Sequence, residues 1–145
     1  MAEMVEVGRK PEVLRQASAE GRLLLLPETV AAIRGGTIKK GDPIATAKVA
    51  AIQAVKDTPR ILPLCHPIPI TGVDSEILVE DTGVIARVAV STVYRTGVEM
   101  EALTAVSAAL LTVWDMTKYL EKDVGGQYPS TRIEGVRVIK KFKQS

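Results

Sequence analysis

The 145-residue sequence contains one cysteine and one histidine. A single thiol cannot close an internal disulfide, and one cysteine with one histidine falls short of any zinc ligand set built from those residues, so no structural metal is expected. Aromatic residues make up 3% of the chain. They are Tyr94, Trp114, Tyr119, Tyr128 and Phe142, and no two of them pair on an expected strand face, which argues against the rival reading of a non-catalytic module that binds RNA or nucleotides on stacked bases. No run approaches the ~20 apolar residues of a membrane span. The opening residues 1–10 alternate charge with hydrophobe instead of building a signal-peptide core, so a cytoplasmic chain with no membrane partner is expected. The net charge of +2 is too small for a general nucleic-acid binder. Local basic pairs such as Lys39–Lys40 and Lys140–Lys141 suit a small anionic ligand better.

What is present reads as one domain over residues 1–145, long enough to bury a core. The run Ala17–Leu26 predicts a strand ending at Pro27. Pro27 to Gly36 then has proline at a first helical position and glycine after the last turn. Asp42 and Pro43 are an N-cap and first helical residue, and Ile44, Ala47, Ala51, Ile52 and Val55 recur at helical spacing toward Thr58–Pro59. Residues 70–80 and 83–94 read as β-branched strands joined by the turn signal Asp81–Thr82–Gly83. Residues 99–122 lack glycine and proline, and Leu103, Val106, Leu110, Val113 and Leu120 predict the longest helix. A loop at 124–132 precedes a last strand over 133–142. This order predicts an α+β ferredoxin-like sandwich, an antiparallel sheet with helices on one face.

Several residues stand out chemically. His66 and Cys65 lie side by side in a segment where Pro59, Pro63, Pro67 and Pro69 preclude a continuous central strand, so they sit on a rigid loop. Such a loop is a good mount for an imidazole that titrates near neutrality, although a lone histidine is more often structural. No local feature depresses the Cys65 thiol, which reads as a small buried hydrophobe. Glu99 and Glu101 are two apart at a strand-to-helix junction; in extended backbone both carboxylates point to one face, whereas in a helix's first turn they simply favour the macrodipole. Asp115 and Lys118 are neighbours on one helix face. That spacing fits an exposed ion pair, or an acid/base pair whose lysine is lowered by burial. Lys40 precedes a helix start, but anionic Asp42 and Pro43, which has no N–H, make that helix end a poor anion site, so the lysine charge would have to act by itself. Arg15, Lys48 and Lys56 read equally as ordinary solvated cations or as ligand contacts. On one continuous helix, Glu101 and Asp115 would stand about 21 Å apart at ~1.5 Å per residue. Either one cluster is structural, or a site is assembled between two subunits.

Taken together, residues 39–70, 95–123 and 4–21 resemble the molybdenum-cofactor biosynthesis protein C family, the cyclic pyranopterin monophosphate synthases. The strings Leu-Cys-His-Pro, Gly-Val-Glu-Met-Glu-Ala-Leu-Thr and Trp-Asp-Met-Thr-Lys occur in that order, and the likeness runs from about Met4 to Val138. The resemblance implies a lyase that converts 3′,8-cyclo-7,8-dihydro-GTP to cyclic pyranopterin monophosphate with release of pyrophosphate. It implies no cofactor; magnesium is compatible with the chemistry but not called for by the residues. Carried over position by position, the family's site falls on Lys40, His66, Glu99, Glu101, Asp115 and Lys118. Asp115, Lys118, His66 and Lys40 are expected to be catalytic, and Glu99, Glu101, Cys65 and Arg15 to bind substrate, with Arg15 helping Lys40 at the triphosphate. The resemblance further implies a homohexamer, a trimer of dimers with sites between subunits. The chain departs from the family at its end, where many members have a glycine-bearing tail and this one closes Val138-Ile-Lys-Lys-Phe-Lys-Gln-Ser145.

Overall fold

A computed structural model describes residues 1–145. The elements run β1 (Val13–Leu24), α1 (Pro27–Gly35), α2 (Pro43–Ile61), β2 (Ile70–Glu80), β3 (Gly83–Tyr94), α3 (Glu99–Glu121) and β4 (Arg132–Lys143). The strands form one sheet in the order β2-β3-β1-β4, and every neighbouring pair is antiparallel. The α+β ferredoxin-like sandwich expected from the sequence is the observed architecture. No helix is long and apolar enough to cross a membrane.

Period-two alternation decides which sheet face is covered. Ala17, Ala19 and Leu23 of β1 and Val84, Ala86, Val88 and Val90 of β3 point into a core closed by α2 and α3. Buried residues on the two helices are mostly small, including Ala47 and Ala51 of α2 and Ala102, Ala105 and Ala109 of α3. The close fit of α3 onto the sheet is clearest at Gly21, where a Cβ would lie 2.9 Å from Val106 Cγ1 and 3.0 Å from Leu110 Cδ1. At the β2–β3 hairpin an added Cβ on Gly83 would meet the Leu23 carbonyl oxygen at 1.9 Å, so this position accepts only glycine.

Local signals set most element ends. Asp42 Oδ1 accepts from the Ile44 and Ala45 amides, and Gly36 closes α1 with φ 69° and ψ 29°. The first strand and the second helix differ from the sequence expectation in their bounds. The first strand begins at Val13 rather than Ala17, because Val13–Gln16 continue the pairing with Tyr94–Ser91 of β3, with Arg15 buried and Gln16 exposed. Pro59 does not end α2: it occupies the last turns, and the helix closes with the Leu62 amide on the Thr58 carbonyl. Glu99 and Glu101 are helical, not extended, so they leave α3 in different directions.

Candidate active site

The chemistry-bearing side chains gather at the two ends of α3. At its N-terminal end the proline-rich segment 62–69 and the turn 95–98 border a cleft of about 580 Å³. Cys65, His66, Glu99 and Met100 line it, and Val5 and Val7 of the N-terminal segment close one side. Rigidity here comes from the prolines and from anchoring bonds. The Cys65 amide donates to the Leu62 carbonyl, and the Thr92 hydroxyl donates to the Pro69 carbonyl at 2.5 Å.

Glu101 is the unusual member. Only 1% of it is exposed; Oε2 accepts from the Cys65 thiol at 3.7 Å, while Oε1 has no partner. Burial pushes its carboxyl above the usual carboxylate range, and the nearby Glu99 charge adds to the effect. The Cys65 thiol is raised in turn, first by burial and then by the Glu101 charge. Cys65 is therefore more than the apolar filler its surroundings in sequence suggest: half-buried, it is the side-chain donor to Glu101. Glu99 remains half-buried and pairs with Lys141 at 3.6 Å.

At the other end of the helix, Asp115 lies between two lysines. Lys118 Nζ stands 2.9 Å from Oδ1 and Lys40 Nζ 3.2 Å from Oδ2. The hydrogen bond from Lys118, followed by that from Lys40, holds the Asp115 carboxyl below its ordinary value. Asp115 in return raises Lys118. In the single chain Lys118 is thus a charged donor, not a lysine lowered by burial, because its side chain is 43% exposed. Tyr128 packs edge-on against Trp114, with ring centres 5.3 Å apart, and brings the loop after α3 to this end.

Arg15 belongs to neither cluster as a free cation. It is buried, and its guanidinium donates to the Tyr94 and Arg95 carbonyls, bracing the turn that leads into α3. Lys48 and Lys56 are exposed on α2 and have no hydrogen-bond or salt-bridge partner. One residue escaped the sequence analysis. Glu121, 2% exposed, accepts from the Leu26 amide and from the hydroxyls of Thr29 and Thr131, tying α1 and the loop after α3 to the helix end. An acid in a helix's last turn opposes the macrodipole, and that misfit was the available clue.

Residues 4–143, nearly the whole chain, match the profile described as the MoaC family. The chain belongs to the MoaC family. It is 57% identical over 141 residues to a protein of Thermococcus onnurineus named a probable cyclic pyranopterin monophosphate synthase, with 97% of this chain and 90% of that one aligned. A Thermococcus kodakarensis protein of the same name is 57% identical over 140 residues, with the same coverage. A third relative, from Methanothermobacter thermautotrophicus, is 57% identical over 140 residues, with 97% of this chain and 88% of that one aligned. It is named a probable cyclic pyranopterin monophosphate synthase accessory protein. In this MoaC-family chain the six positions singled out in the sequence are divided. His66, Glu99 and Glu101 stand at one end of α3, and Lys40, Asp115 and Lys118 at the other.

Proposed function

We propose that the chain is a cytoplasmic cyclic pyranopterin monophosphate synthase, converting 3′,8-cyclo-7,8-dihydro-GTP to cyclic pyranopterin monophosphate and pyrophosphate, and that two copies build each active site. The observation that carries this reading is the division of the six residues into an acidic half and a cationic half. They lie ~21 Å apart along one unbroken helix, at about 1.5 Å per residue. Residue 108 is midway between Glu101 and Asp115. A two-fold axis passing beside Ala108 would lay α3 antiparallel on its copy and bring Glu101 of one chain beside Asp115 of the other. The outer helix face suits such a contact: Val49, Ile52, Met100 and Leu111 are exposed apolar residues, with the smaller Thr104, Ser107 and Ala108 along the middle of α3. Six chains as a trimer of such dimers is the assembly this reading expects.

Each half then has a distinct task. Lys40 and Lys118 hold the phosphates, with Asp115 orienting both ammonium groups and Lys118 placed as a general acid. At the other end, Glu101, a carboxyl raised by its burial, moves protons during ring opening and reclosure, while His66 and Glu99 polarise the base and ribose. Covering by the second copy would lower Lys118 by desolvation and free it to act as a base as well. The chemistry needs no redox cofactor.

Pyrophosphate release from purified 3′,8-cyclo-7,8-dihydro-GTP tests the reaction, and mixing inactive variants tests the shared site. Lys118→Ala and Glu101→Gln should each lower turnover by roughly 10²–10⁴. After subunit exchange their mixture should recover up to about one quarter of native activity, since half of the two-chain sites' parents are mixed pairs, each with one intact site. No release by the native chain removes the enzyme reading. Two inactive variants that never complement each other remove the shared site.

A further inference from the structure

The Lys40 ammonium reaches Asp115 from a short turn between α1 and α2. The Gly41 amide donates to the Ile38 carbonyl at 3.1 Å, which closes a β-turn with Lys39 and Lys40 at its two central positions. Gly36 before the turn and Gly41 at its end have φ of 69° and 120°, and nothing lies within 4 Å of where either would carry a Cβ. A segment hinged on two such glycines has little of its own to fix its direction. Ile38 is buried on one side and Asp42 caps α2 on the other, yet both leave the two lysines free to project. Tyr119 supplies a tie to α3. Its hydroxyl accepts from the Lys39 amide at 3.0 Å, and the Lys39 ammonium lies over its ring, 5.0 Å from the centre. The turn's other polar ties to α3 are those of Lys40 itself, to the Asp115 carbonyl at 3.5 Å and to Oδ2 at 3.2 Å.

We propose that Tyr119 is a positioning residue for Lys40: its hydroxyl and ring hold the turn against α3 so that the Lys40 ammonium rests on the Asp115 carboxylate. Asp115 and Tyr119 are four residues apart on α3, so both side chains leave one face of the helix, roughly 6 Å apart along the axis at about 1.5 Å per residue. The turn lays consecutive residues over them, Lys39 on Tyr119 and Lys40 on Asp115. An exposed ion pair alone is weak against the rotamer freedom of a lysine stem. Fixing the Lys39 amide sets where the Lys40 stem begins, and that anchoring removes part of the ordering cost before the pair forms. Tyr119 is 36% exposed and stands outside the core cluster, so core packing does not account for it. Its consequence for catalysis rests on the proposed synthase reading, in which Lys40 holds phosphate; the brace itself does not. In that reaction Tyr119 touches no substrate and acts through Lys40.

Tyr119→Phe removes the hydroxyl and keeps the ring. Amide exchange by NMR is the first test. In the native chain the Lys39 amide should exchange more slowly, relative to its intrinsic rate, than the Lys40 amide, which has no acceptor in the chain. In Tyr119→Phe the Lys39 amide should exchange roughly 2–10 times faster, the range that one net hydrogen bond supports. Equal protection of the two native amides, or unaltered Lys39 exchange in the variant, overturns the proposal. Carboxyl NMR is the second test. Asp115 faces Lys118 from its own helix and Lys40 from the turn. Tyr119→Phe should move the Asp115 titration upward, toward its position in Lys40→Ala, and the same substitution made on top of Lys40→Ala should move it no further. A residue that only stabilises the fold would not depend on Lys40 in this way. No shift in Asp115, or an equal shift in both backgrounds, overturns the proposal. Pyrophosphate release from 3′,8-cyclo-7,8-dihydro-GTP is the third test, and kcat/KM should fall roughly 2–10-fold in Tyr119→Phe, chiefly through KM. An undiminished kcat/KM in the variant overturns the positioning role. A native chain that releases no pyrophosphate removes the synthase reading instead, and the two NMR results then decide the brace. Should Tyr119→Phe fail to fold, the comparison of Lys39 with Lys40 in the native chain decides.

Discussion

Removing the Glu121 side chain should loosen the loop that reaches the cationic cluster while also lowering stability. In the native chain this buried carboxyl accepts from the Leu26 amide at 3.0 Å and from the Thr29 and Thr131 hydroxyls. Glu121→Ala leaves all three donors without their acceptor. The hydroxyls can turn toward other acceptors, but the Leu26 amide cannot, and an orphaned buried donor costs about 1–3 kcal/mol. Adding the loss of two hydrogen bonds gives about 3–5 kcal/mol in all. At the entropy of unfolding typical of a chain this long, that lowers Tm by about 10–16 °C. Glu121→Gln keeps one acceptor oxygen but turns an amide group toward donors, so about half the loss is expected. Calorimetry must compare the proteins at one concentration, because assembly raises apparent stability. Hydrogen exchange supplies the second readout. Protection should fall most in residues 122–131, where Thr131 is tied down and Tyr128 packs on Trp114, and less in β1 and β3. A Tm change under 3 °C, or a loss of protection spread evenly over the sheet, would refute the view that Glu121 clasps this loop.

Glu101→Gln should gain on the native chain as pH rises. The folded carboxyl is raised above 4.5, so the folded state holds its proton longer than the unfolded one, and native stability declines from the unfolded pKa up through the folded one. Urea unfolding at acidic and neutral pH should show the glutamine variant improving relative to native across that window; a constant difference would contradict it. Asp115 shows the opposite sign. Its contribution is present above its unfolded value and is lost as pH falls through the depressed folded one, whereas that of Lys118 is present below 10.5 and lost as pH rises through its raised value. Carboxyl NMR should find Asp115 titrating below 3.8, and Lys118→Ala should restore it more than Lys40→Ala does. Gly21→Ala forces a methyl to 2.9–3.0 Å from Val106, Leu110 and Val136, and overpacking of that kind should cost about 1–3 kcal/mol in denaturant unfolding.

The parts of this protein that depend on near neighbours were legible as sequence. Asp42 before Pro43, Gly36 after α1, the Asp81–Thr82–Gly83 turn and the uninterrupted run of α3 each act within a few residues, so element order and the ferredoxin-like sandwich followed from them. The start of α3 was less clear because Val98 offers no side-chain cap, which left Glu99 and Glu101 readable as extended or helical. Even the division of the candidate site was visible as arithmetic, since fourteen helical residues separate Glu101 from Asp115 by about 21 Å. Tertiary structure decided which groups are buried and what they meet. Glu101 became a buried carboxyl because segment 62–69 folds over it, Arg15 became a brace because β3 ends beside it, and Glu121 became a clasp because α1 and Thr131 converge on it. Lys40 reached Asp115 across seventy-five positions of chain. Burial and long-range pairing depend on residues far apart in sequence arriving at one place, and no local pattern of caps, turns or periodicity encodes which ones arrive.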